Sequence, residues 1–541
     1  MLNFGPFGEA ALLFRSADAG EVEGICFRLA EDPPDFVTDV ACSSHVGLVT
    51  FDPSMSGPDD AEAAVRKAAA DAAGAPVRPA RELRISVVLD GEDLDELLED
   101  AHAGLQEFVE ELTTRPFPVA HLGFAPGFVY LGGLSERFRR PRRDLPRMRV
   151  PAGSVAIGGT YLGIYGAASP GGWNLVGTTH QHLFDEHREP PMELRPGDTV
   201  RFTVIGQHEK EPPVQQDAAE TDPTTHPALE VLEASGAACI EDGGRSCSGI
   251  WAVPRSGAAD PWAHHLANLL AGNPPTAPAI EIALGRVRIR TLSPLHLASA
   301  GVGLQINLDG HPVAPGHCFP VTQGQLVEVT ASPESTYGYL AVAGGIHAPR
   351  WFGSASHDWL SGFGPPLLAN GQTLRALRPG APPKDHLLPS RLERSRIRVV
   401  KGPHFESFSA EERSLLVQAE FTIAGASSRV GVRLAGSAFP KREDRALAES
   451  EPLALGAIQV PPGGEPIVML ADHPVTGGYL VIATVILADL DLIAQPRPGS
   501  VVSFQYVDTE DARSAYRHRL ATERRLAVGS RPLDELKSTE H

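Results

Sequence analysis

A mainly β protein with α+β parts is what this chain predicts, on three observations. Gly (54) and Pro (48) recur at short intervals while aromatic residues make up only 6%, which suits many short strands joined by tight turns better than long helical bundles. A turn followed by an alternating strand occurs twice, as Arg195-Pro196-Gly197-Asp198-Thr199-Val200-Arg201-Phe202 and as Arg497-Pro498-Gly499-Ser500-Val501-Val502-Ser503-Phe504. Helical periodicity, finally, is confined to short local stretches.

The repeat continues upstream in the same order. Gly171-Gly172-Trp173 has a counterpart in Gly477-Gly478-Tyr479, and Gly153-Ser154-Val155-Ala156-Ile157 has one in Gly456-Ala457-Ile458-Gln459-Val460. The two stretches read as two versions of one β-barrel module, with chance recurrence of a common turn grammar as the alternative. Three helices are expected. Residues 61–73 are rich in alanine; Leu94, Leu97, Leu98, Ala101, Leu105, Phe108, Val109 and Leu112 lie three and four apart and form one amphipathic face. Asp260-Pro261 before Trp262-Ala263 reads as an N-cap with proline at the first helical position, and Gly272 closes that helix.

At roughly 100–200 residues per domain, a chain of 541 residues holds about three to five domains. Residues 207–228 are polar and proline-rich with almost no large apolar side chain, hence a linker that proteases cut first, leaving two associated pieces. The polar tail from Leu533 is expected to fray.

The net charge of −20 repels phosphate backbones and anionic lipid, which argues against nucleic acid and membrane surfaces as partners. Cys26, Cys42, Cys239, Cys247 and Cys318 form no CxxC pair, so neither a disulfide framework nor structural zinc is expected, and a reducing cytoplasm is. No basic n-region with an apolar core opens the chain, and the most apolar run, residues 479–487, is too short to span a bilayer. GxxxxGK[ST] and GxSxG are both absent, arguing against a P-loop and an α/β-hydrolase elbow. None of the five methionines precedes a lysine, so no biotin attachment site is carried.

Four segments offer chemistry, each with a plainer alternative. Gly123-Phe124-Ala125-Pro126-Gly127-Phe128-Val129-Tyr130 can bring backbone N–H groups to a ligand walled by Phe and Tyr, or can be a buried turn against a barrel. Six arginines within residues 139–149 make an anion site or a solvated, ion-paired turn. Asp242-Gly243-Gly244-Arg245 with Ser256 and Asp260 can orient an amide beside a helix N-terminus, or Asp260 merely caps its helix. His180, His182 and His187 are close enough to suggest zinc, but without a visible supporting pattern no metal is assigned.

These segments carry a resemblance. GFAPGFVYLGGL (123–134), PRRDLPRMRVPAGSVAIGG (141–159) and SPGGWNLVG (169–177) are similar to the allophanate hydrolase subunit 1 family, which includes the B-type subunits of 5-oxoprolinase and a sporulation-kinase inhibitor. After the linker, EDGGR (241–245), VPRSGAAD (253–260), LANLLAGN (266–273), YLAVAGGI (339–346), GAIQVPPGGEPIVMLAD (456–472) and TGGYLVIA (476–483) resemble the subunit 2 family, with the C-type subunits of 5-oxoprolinase and the inhibitor's antagonist. The order also resembles the carboxyltransferase region of urea carboxylase.

The resemblance implies a small N-terminal α/β domain followed by cyclophilin-like β-barrel domains. The expected division is 1–82 and 83–206 for the subunit-1-like part, 207–228 for the linker, and 229–392 and 393–533 for the subunit-2-like part. It also implies ATP-dependent opening of 5-oxoproline to glutamate with a separate A-like subunit of 5-oxoprolinase. Carboxyl transfer from a separately carried biotin to urea is one alternative, and a non-enzymatic regulatory module another. Asp242, Arg245 and Asp472 are then expected to bind and polarise the amide. Phe124, Pro126, Gly127, Tyr130 and Arg142 border the anionic part, with Ser154, Ser256, Asp260, Gly477, Gly478 and Tyr479 completing the contacts. Assembly into a homo-oligomer is left open.

Several positions depart from the family pattern. Leu480-Val481 stands where Pro-Lys is usual, His473-Pro474-Val475 where Arg-Gln-Thr is usual, and Ala355 and Tyr337 replace arginines. Leu112-Thr113 and Gly177-Thr178-Thr179 depart from a His-Thr/Ser and a Gly-Arg-Thr step. Two expectations follow: Val481→Lys raises the rate, and Asp472→Asn leaves the melting midpoint near wild type while weakening binding.

Overall fold

The computed structural model describes residues 2–74, 78–143, 147–206, 225–331, 334–377, 396–436 and 439–528. Residues 207–224 of the expected linker and the expected frayed tail from Leu533 lie outside them, and the linker's last residues, 226–228, belong to a strand.

The chain opens with four antiparallel strands in the order β1-β2-β4-β3, namely β1 (Asn3–Pro6), β2 (Ala11–Arg15), β3 (Val37–Ser43) and β4 (Val46–Phe51). Two helices pack against each other beside this sheet, α1 (Ala19–Glu31) and α2 (Pro58–Ala73). Asp18 starts α1 by accepting from Gly20 N at 2.9 Å, and Val22, Ile25, Cys26 and Leu29 turn its apolar face to the core.

Seven strands then close a barrel. They are β5 (Glu82–Val87), β6 (Phe117–Leu122), β7 (Val129–Leu131), β9 (Ser154–Gly158), β10 (Tyr161–Ile164), β12 (Asn174–Thr178) and β13 (Thr199–Val204), ordered β12-β9-β10-β7-β6-β13-β5. The edges meet through Val88 and Thr178, which exchange two backbone hydrogen bonds of 2.8 Å. A small two-stranded antiparallel sheet stands beside it, β8 (Arg147–Val150) with β11 (Ser169–Gly171). The single helix expected from Leu94 to Leu112 is two, α3 (Leu94–Asp100) and α4 (Leu105–Thr114). His102 at φ 46° turns the chain between them, and Glu107 Oε2 accepts from Gly104 N at 2.8 Å to start the second.

A ten-stranded sheet follows: β14 (His226–Glu241), β15 (Ala279–Thr291), β16 (Leu295–Ala300), β17 (Gln305–Leu308), β18 (His311–Val313), β19 (Cys318–Val321), β20 (Leu326–Thr330), β21 (Tyr337–Val342), β22 (Ile346–His347) and β23 (Thr373–Ala376). β15 pairs with β21 through its first half and with β20 through its second, so the sheet curls. Helix α5 (Pro261–Leu270) is capped as expected, with Asp260 Oδ1 accepting from Trp262 N and Ala263 N, both at 3.0 Å.

The last part repeats the barrel strand for strand. Its members are β24 (Ile397–Lys401), β25 (Phe421–Ile423), β26 (Gly431–Gly436), β28 (Ala457–Gln459), β29 (Ile467–Met469), β31 (Val481–Val485), β32 (Val501–Val502) and β33 (Phe504–Tyr506). Their order β31-β28-β29-β26-β25-(β32/β33)-β24 reproduces β12-β9-β10-β7-β6-β13-β5, and β24 pairs back onto β31. Here too the strand after the Arg-Pro-Gly turn runs parallel to the module's first strand, β13 to β5 and β33 to β24. The accessory two-stranded sheet recurs at the same place, as β27 (Ala446–Pro452) with β30 (Thr476–Tyr479). A duplicated module accounts for the sequence repeat.

Helix α6 (Ala410–Gln418) starts on Ser409, which accepts from Glu412 N at 3.2 Å; a short α7 (Leu490–Ala494) precedes the closing α8 (Thr509–Val528). Helix α8 packs Ala512 and Ala515 against Val400 and Ile486, and polar contacts add to this. Arg519 makes a two-pronged pair with Asp491 at 2.7 and 2.9 Å and stacks over Trp262 at 4.2 Å.

Two apolar clusters cross from the first half of the chain to the second. Phe7, Leu13, Val46 and Leu48 pack with Leu453, Met469 and Val481, and Phe27 meets Trp251 edge-on at 5.0 Å. We therefore expect protease cleavage within residues 207–224 to leave fragments that co-elute on gel filtration; fragments running separately would mean these clusters do not hold the halves together.

Glu9 lies fully buried at the same junction, accepting from Leu487 N at 2.5 Å. Burial pushes its carboxyl up to about 7 from an ordinary 4.5, against the pull of that N–H and of Arg513. Because the folded value is the higher one, the stabilisation is complete below pH 4.5 and fades as pH rises through 7. Between pH 5.5 and 8, wild type should lose about 1–2 kcal/mol more stability than Glu9→Gln, read from urea midpoints at each pH.

Candidate functional site

The turn between β6 and β7 brings the two barrels together. Phe124 at φ 65° and Gly127 at φ 75° tighten it, and a Cβ on Gly127 would stand 2.9 Å from Gly166 Cα. On Gly123 a Cβ would come within 2.5 Å of Thr476 Oγ1, so only glycine lets the second barrel approach so closely. Phe124 N donates to Thr476 Oγ1 at 3.0 Å, and Val475 N donates to Phe124 O at 3.3 Å.

Beneath that contact lies a polar floor built from three parts of the chain. His121 (β6) stacks on Tyr130 (β7) with centroids 4.0 Å apart, and Tyr161 (β10) meets both rings edge-on at 5.8 Å. Ser44, in the β3–β4 turn, places its Oγ 3.3 Å from His121 Nδ1. From the second barrel come Ser450 (β27) and Thr476 (β30), whose side chains lie near the Tyr130 hydroxyl, and Glu449, which lies near that of Tyr161. Burial, aided by the Arg142 charge, pushes His121 down to about 3, so its ring is neutral. Burial raises the Tyr130 phenol, and burial followed by Glu449 raises Tyr161 to about 12. Arg142 stands at the exposed rim, 6.0 Å over the Trp173 ring, with Nη1 3.1 Å from where a Cβ on Gly478 would be. Arg143 and Arg147 are both tied to Asp93, at 2.7 and 2.8 Å. Arg142 is paired with no carboxylate among the described residues.

The segment 472–476 leads from this floor to a buried charge cluster. Arg429 donates through Nε to Asp472 Oδ2 at 2.7 Å, through Nη1 to Glu281, and through Nη2 to Gly257 O at 2.5 Å. Its Nη2 is 3.5 Å from Glu241 Oε2, close enough to attract but not to hydrogen-bond, and that oxygen has no partner. Burial opposes the guanidinium charge, but Asp472, Glu241 and Glu281 outweigh it and hold Arg429 above its usual range. Glu241 is pushed well above the carboxylate range, chiefly by burial and then by Glu281 and Asp472 against the Arg429 charge. The Tyr339 hydroxyl donates to Glu281 Oε2 at 2.7 Å and accepts from Asp260 N at 2.8 Å.

The residues expected from sequence divide between these two places. Phe124, Tyr130, Arg142 and Gly478 meet at the floor, with Pro126 and Gly127 in the turn above and Gly477 and Tyr479 on the β30 strand beside it. Asp242, Arg245 and Asp472 converge on the charge cluster, but each is bound to framework. Asp242 accepts from Ser354 Oγ at 2.6 Å, Ser356 Oγ at 2.8 Å and Ala355 N at 2.8 Å. Arg245 is fully buried and donates to Pro254 O at 3.2 Å and Ser356 O at 2.5 Å. Burial lowers Arg245 against Asp358, Glu241 and Asp472, the nearest opposing charges. Ser256, at φ 52°, keeps a buried Oγ without a partner, and Asp260 caps α5 while accepting from Gln495 Nε2 at 2.7 Å. Ser154 lies apart, in the β9–β12 ladder near the barrel closure.

Four of the positions that depart from the family pattern, Val481, Ala355, Leu112 and Tyr337, are buried in the framework. Val481 packs among Phe7, Leu13, Val46 and Leu453, so a lysine there would carry its charge into an apolar cluster, contrary to the expected gain in rate. Ala355 and Leu112 are fully buried, and Tyr337 holds Gln495 through its backbone. Sequence reasoning missed His121, Ser44, Glu449, Glu281 and Arg429. His121 alone left a signal, as a histidine two residues ahead of the Gly123 turn.

Among the described residues, no group of three or more His, Cys, Asp or Glu is placed to hold a metal ion, and no helix is long and apolar enough to cross a membrane.

The family models agree with the two-part plan. The model described as carboxyltransferase domain, subdomain C and D matches residues 2–194, and that for subdomain A and B matches residues 251–506. The C subunit of 5-oxoprolinase from Escherichia coli (strain K12) is 33% identical over 294 residues, covering 53% of this chain and 94% of that one. The B subunit of 5-oxoprolinase from Escherichia coli O157:H7 is 54% identical over 104 residues, 19% of this chain and 48% of that one. The crystal structure of TTHA0988 superposes with a TM-score of 0.81 at 33% identity, covering 93% of this chain and all of that one.

Proposed function

Because this chain belongs to the carboxyltransferase-domain family, with subdomains C and D followed by A and B in one polypeptide, we propose that it is a fused B–C component of an ATP-dependent 5-oxoprolinase-type amide hydrolase. In this reading it acts in the cytoplasm and opens a small cyclic amide together with a separate A-like subunit. One observation carries it: relatives named as the B and C subunits of 5-oxoprolinase match 19% and 53% of this chain, and the two parts covered by the family models, 2–194 and 251–506, meet at a polar floor that neither completes alone.

The chemistry at the floor suits such a ligand. A lactam that bears a carboxylate presents an anion, an N–H and a carbonyl within a few ångströms. Arg142 supplies the cation at the rim, while His121, Tyr130, Ser450 and Thr476 supply neutral polar groups below. The charge cluster around Arg429 and Asp472 fixes the segment that leads to Thr476, a positioning role rather than contact with substrate.

A nucleotide fits these residues poorly. Its triphosphate asks for several cations and free backbone N–H groups, and Arg143 and Arg147 are committed to Asp93. The nucleotide is accordingly assigned to the separate A-like protein.

Carboxyl transfer to urea is the second reading, favoured by the description of the family itself. It requires biotin on another chain, because no Met-Lys pair occurs in this one. The deciding assay supplies the protein with an A-type 5-oxoprolinase protein, ATP and 5-oxoproline, and in parallel with a biotin carboxylase, a biotinylated carrier and labelled urea. Glutamate release in the first mixture supports the hydrolase; label fixed only in the second supports the carboxyltransferase. Neither product would leave the regulatory role standing.

A further inference from the structure

Between β22 and β23 a strap, residues 350–364, turns back on itself at Trp351-Phe352-Gly353-Ser354. Trp351 N donates to Ser354 O at 2.8 Å, and Ser354 N donates to Trp351 O at 3.2 Å. The two central residues are both left-handed, Phe352 at φ 52° and Gly353 at φ 77°, the pattern of a type I′ turn. Such turns favour Asn or Gly at the first central position, because the Cβ of a bulkier residue crowds the neighbouring carbonyl. A phenylalanine is held at this tip against its backbone preference, and the contacts that hold it come from the other half of the chain.

Phe352 stacks on Phe184, in the β12–β13 connection, with centroids 6.2 Å apart and ring planes 19° apart. Phe363, near the end of the strap, meets Phe184 edge-on at 5.6 Å and Phe352 at 6.0 Å. Both strap rings pack against an apolar cluster built mainly from residues before the linker. Phe184 in turn backs on the β6–β7 turn, where a Cβ on Gly127 would stand 3.0 Å from the Phe184 Cβ. That turn reaches the second barrel through Phe124 N and Thr476 Oγ1 at 3.0 Å. The base of the strap is anchored within the second half instead. Ser354, Ala355 and Ser356 donate to Asp242, and Trp359 N donates at 3.3 Å to Asp472, four residues before Thr476. The contacts close a ring that runs from the strap tip through Phe184, the Gly127 turn, Thr476 and Asp472 back to the strap.

We propose that Phe352 is a latch between the two halves. Its stack on Phe184 keeps the tip in a turn that the phenylalanine itself disfavours, and loss of the stack lets the strap open locally while both halves stay folded. Because the contacts form a ring, opening at the tip also slackens the Phe124–Thr476 contact above the floor. Phe352 is thus a positioning residue, acting on the floor only through Phe184 and the strap. No ligand enters, so the latch stands apart from the hydrolase reading.

Amide hydrogen exchange on the full-length protein reads the latch, since the Ser354 amide is bonded across the turn. Phe184→Ala removes the stack and should speed exchange at Ser354 by about threefold to tenfold, the range that a lost aromatic pair allows. Adding Phe352→Asn, a residue that accepts the left-handed conformation, should slow it again to within about twofold of wild type. Ordinary packing, without a backbone that resists the turn, gives the reverse, a second loss on top of the first. The Phe124 amide should exchange faster in Phe184→Ala and stay fast in the double variant, which restores the turn but not the stack. Phe184→Leu keeps apolar volume without the stack and should move both amides the same way by less; it guards against misfolding of the alanine variant. Unchanged exchange of the β15 amides marks an intact core in each variant. Ser354 exchange that does not move in Phe184→Ala, or that rises further on adding Phe352→Asn, overturns the latch. A Phe124 amide that does not respond overturns its link to the floor.

Discussion

Arg429→Met is expected to lower folding stability by about 3–5 kcal/mol, the cost of leaving buried carboxylates without their cation. Glu241, Glu281 and Asp472 all face this one guanidinium at zero or one per cent exposure. Methionine fills much of the volume, so the loss would reflect charge rather than a cavity. Burial without the guanidinium favours the neutral form of a carboxyl, so the deficit should shrink as pH falls from 8 to 5.5. Urea midpoints at the two pH values measure it, and a midpoint within error of wild type at pH 8 would show that the cluster tolerates its missing cation. Asp472→Asn removes one partner of the same pair. It is therefore expected to melt lower, in contrast to the unchanged midpoint that the sequence suggested.

Val481→Lys is the second large effect. The side chain is 1% exposed, and its neighbours are Phe7, Leu13, Val46, Leu453 and Met469, none of which can accept a hydrogen bond from an ammonium. Burying that charge without a partner costs several kcal/mol, shared between unfolding and deprotonation of the lysine. We expect a loss of about 3 kcal/mol or more at pH 7, diminishing above pH 9 as the lysine gives up its proton. A buried lysine has a folded pKa below the unfolded one, and so regains stability as pH rises. Val481→Leu, which adds volume without charge, separates crowding from electrostatics. A Lys variant as stable as the Leu variant would place this position at the surface of the junction.

What could be read from the sequence was what local chemistry dictates. The two Arg-Pro-Gly turns, the glycine-opened strands and the Gly-Gly-aromatic steps exposed a duplicated barrel, because each rests on backbone conformations that few residues allow. Asp260-Pro261 marked a helix start for the same reason. Between Leu94 and Leu112 the apolar spacing runs unbroken through His102, so periodicity reads one helix where a backbone turn makes two. Helix α8 left only a narrow apolar face, Ala512 and Ala515, since Arg519 and Tyr516 do much of its docking, on Asp491 and Trp262. At the site, the GFAPGF turn, Arg142 and Gly478 were legible as segments. Ser44, His121 and Glu449 were not, for they belong to three parts of the chain and acquire meaning only through one another. Asp242 and Arg245 show the reverse difficulty: residue types suited to catalysis, whose hydrogen bonds run to the framework.

The junction between the halves draws a consequence from the single polypeptide. Where the two parts are separate polypeptides, their contact must outcompete dilution, which rewards a dry, adhesive surface. Tethering replaces that search with an effective concentration on the order of millimolar. A junction so assisted can tolerate groups that a free interface would select against, among them a His121 ring nitrogen with no hydrogen-bond partner among the described residues and a carboxyl at Glu9 pushed up to about 7. Severing the tether should therefore leave each fragment's barrel intact while making occupancy of the shared floor depend on protein concentration.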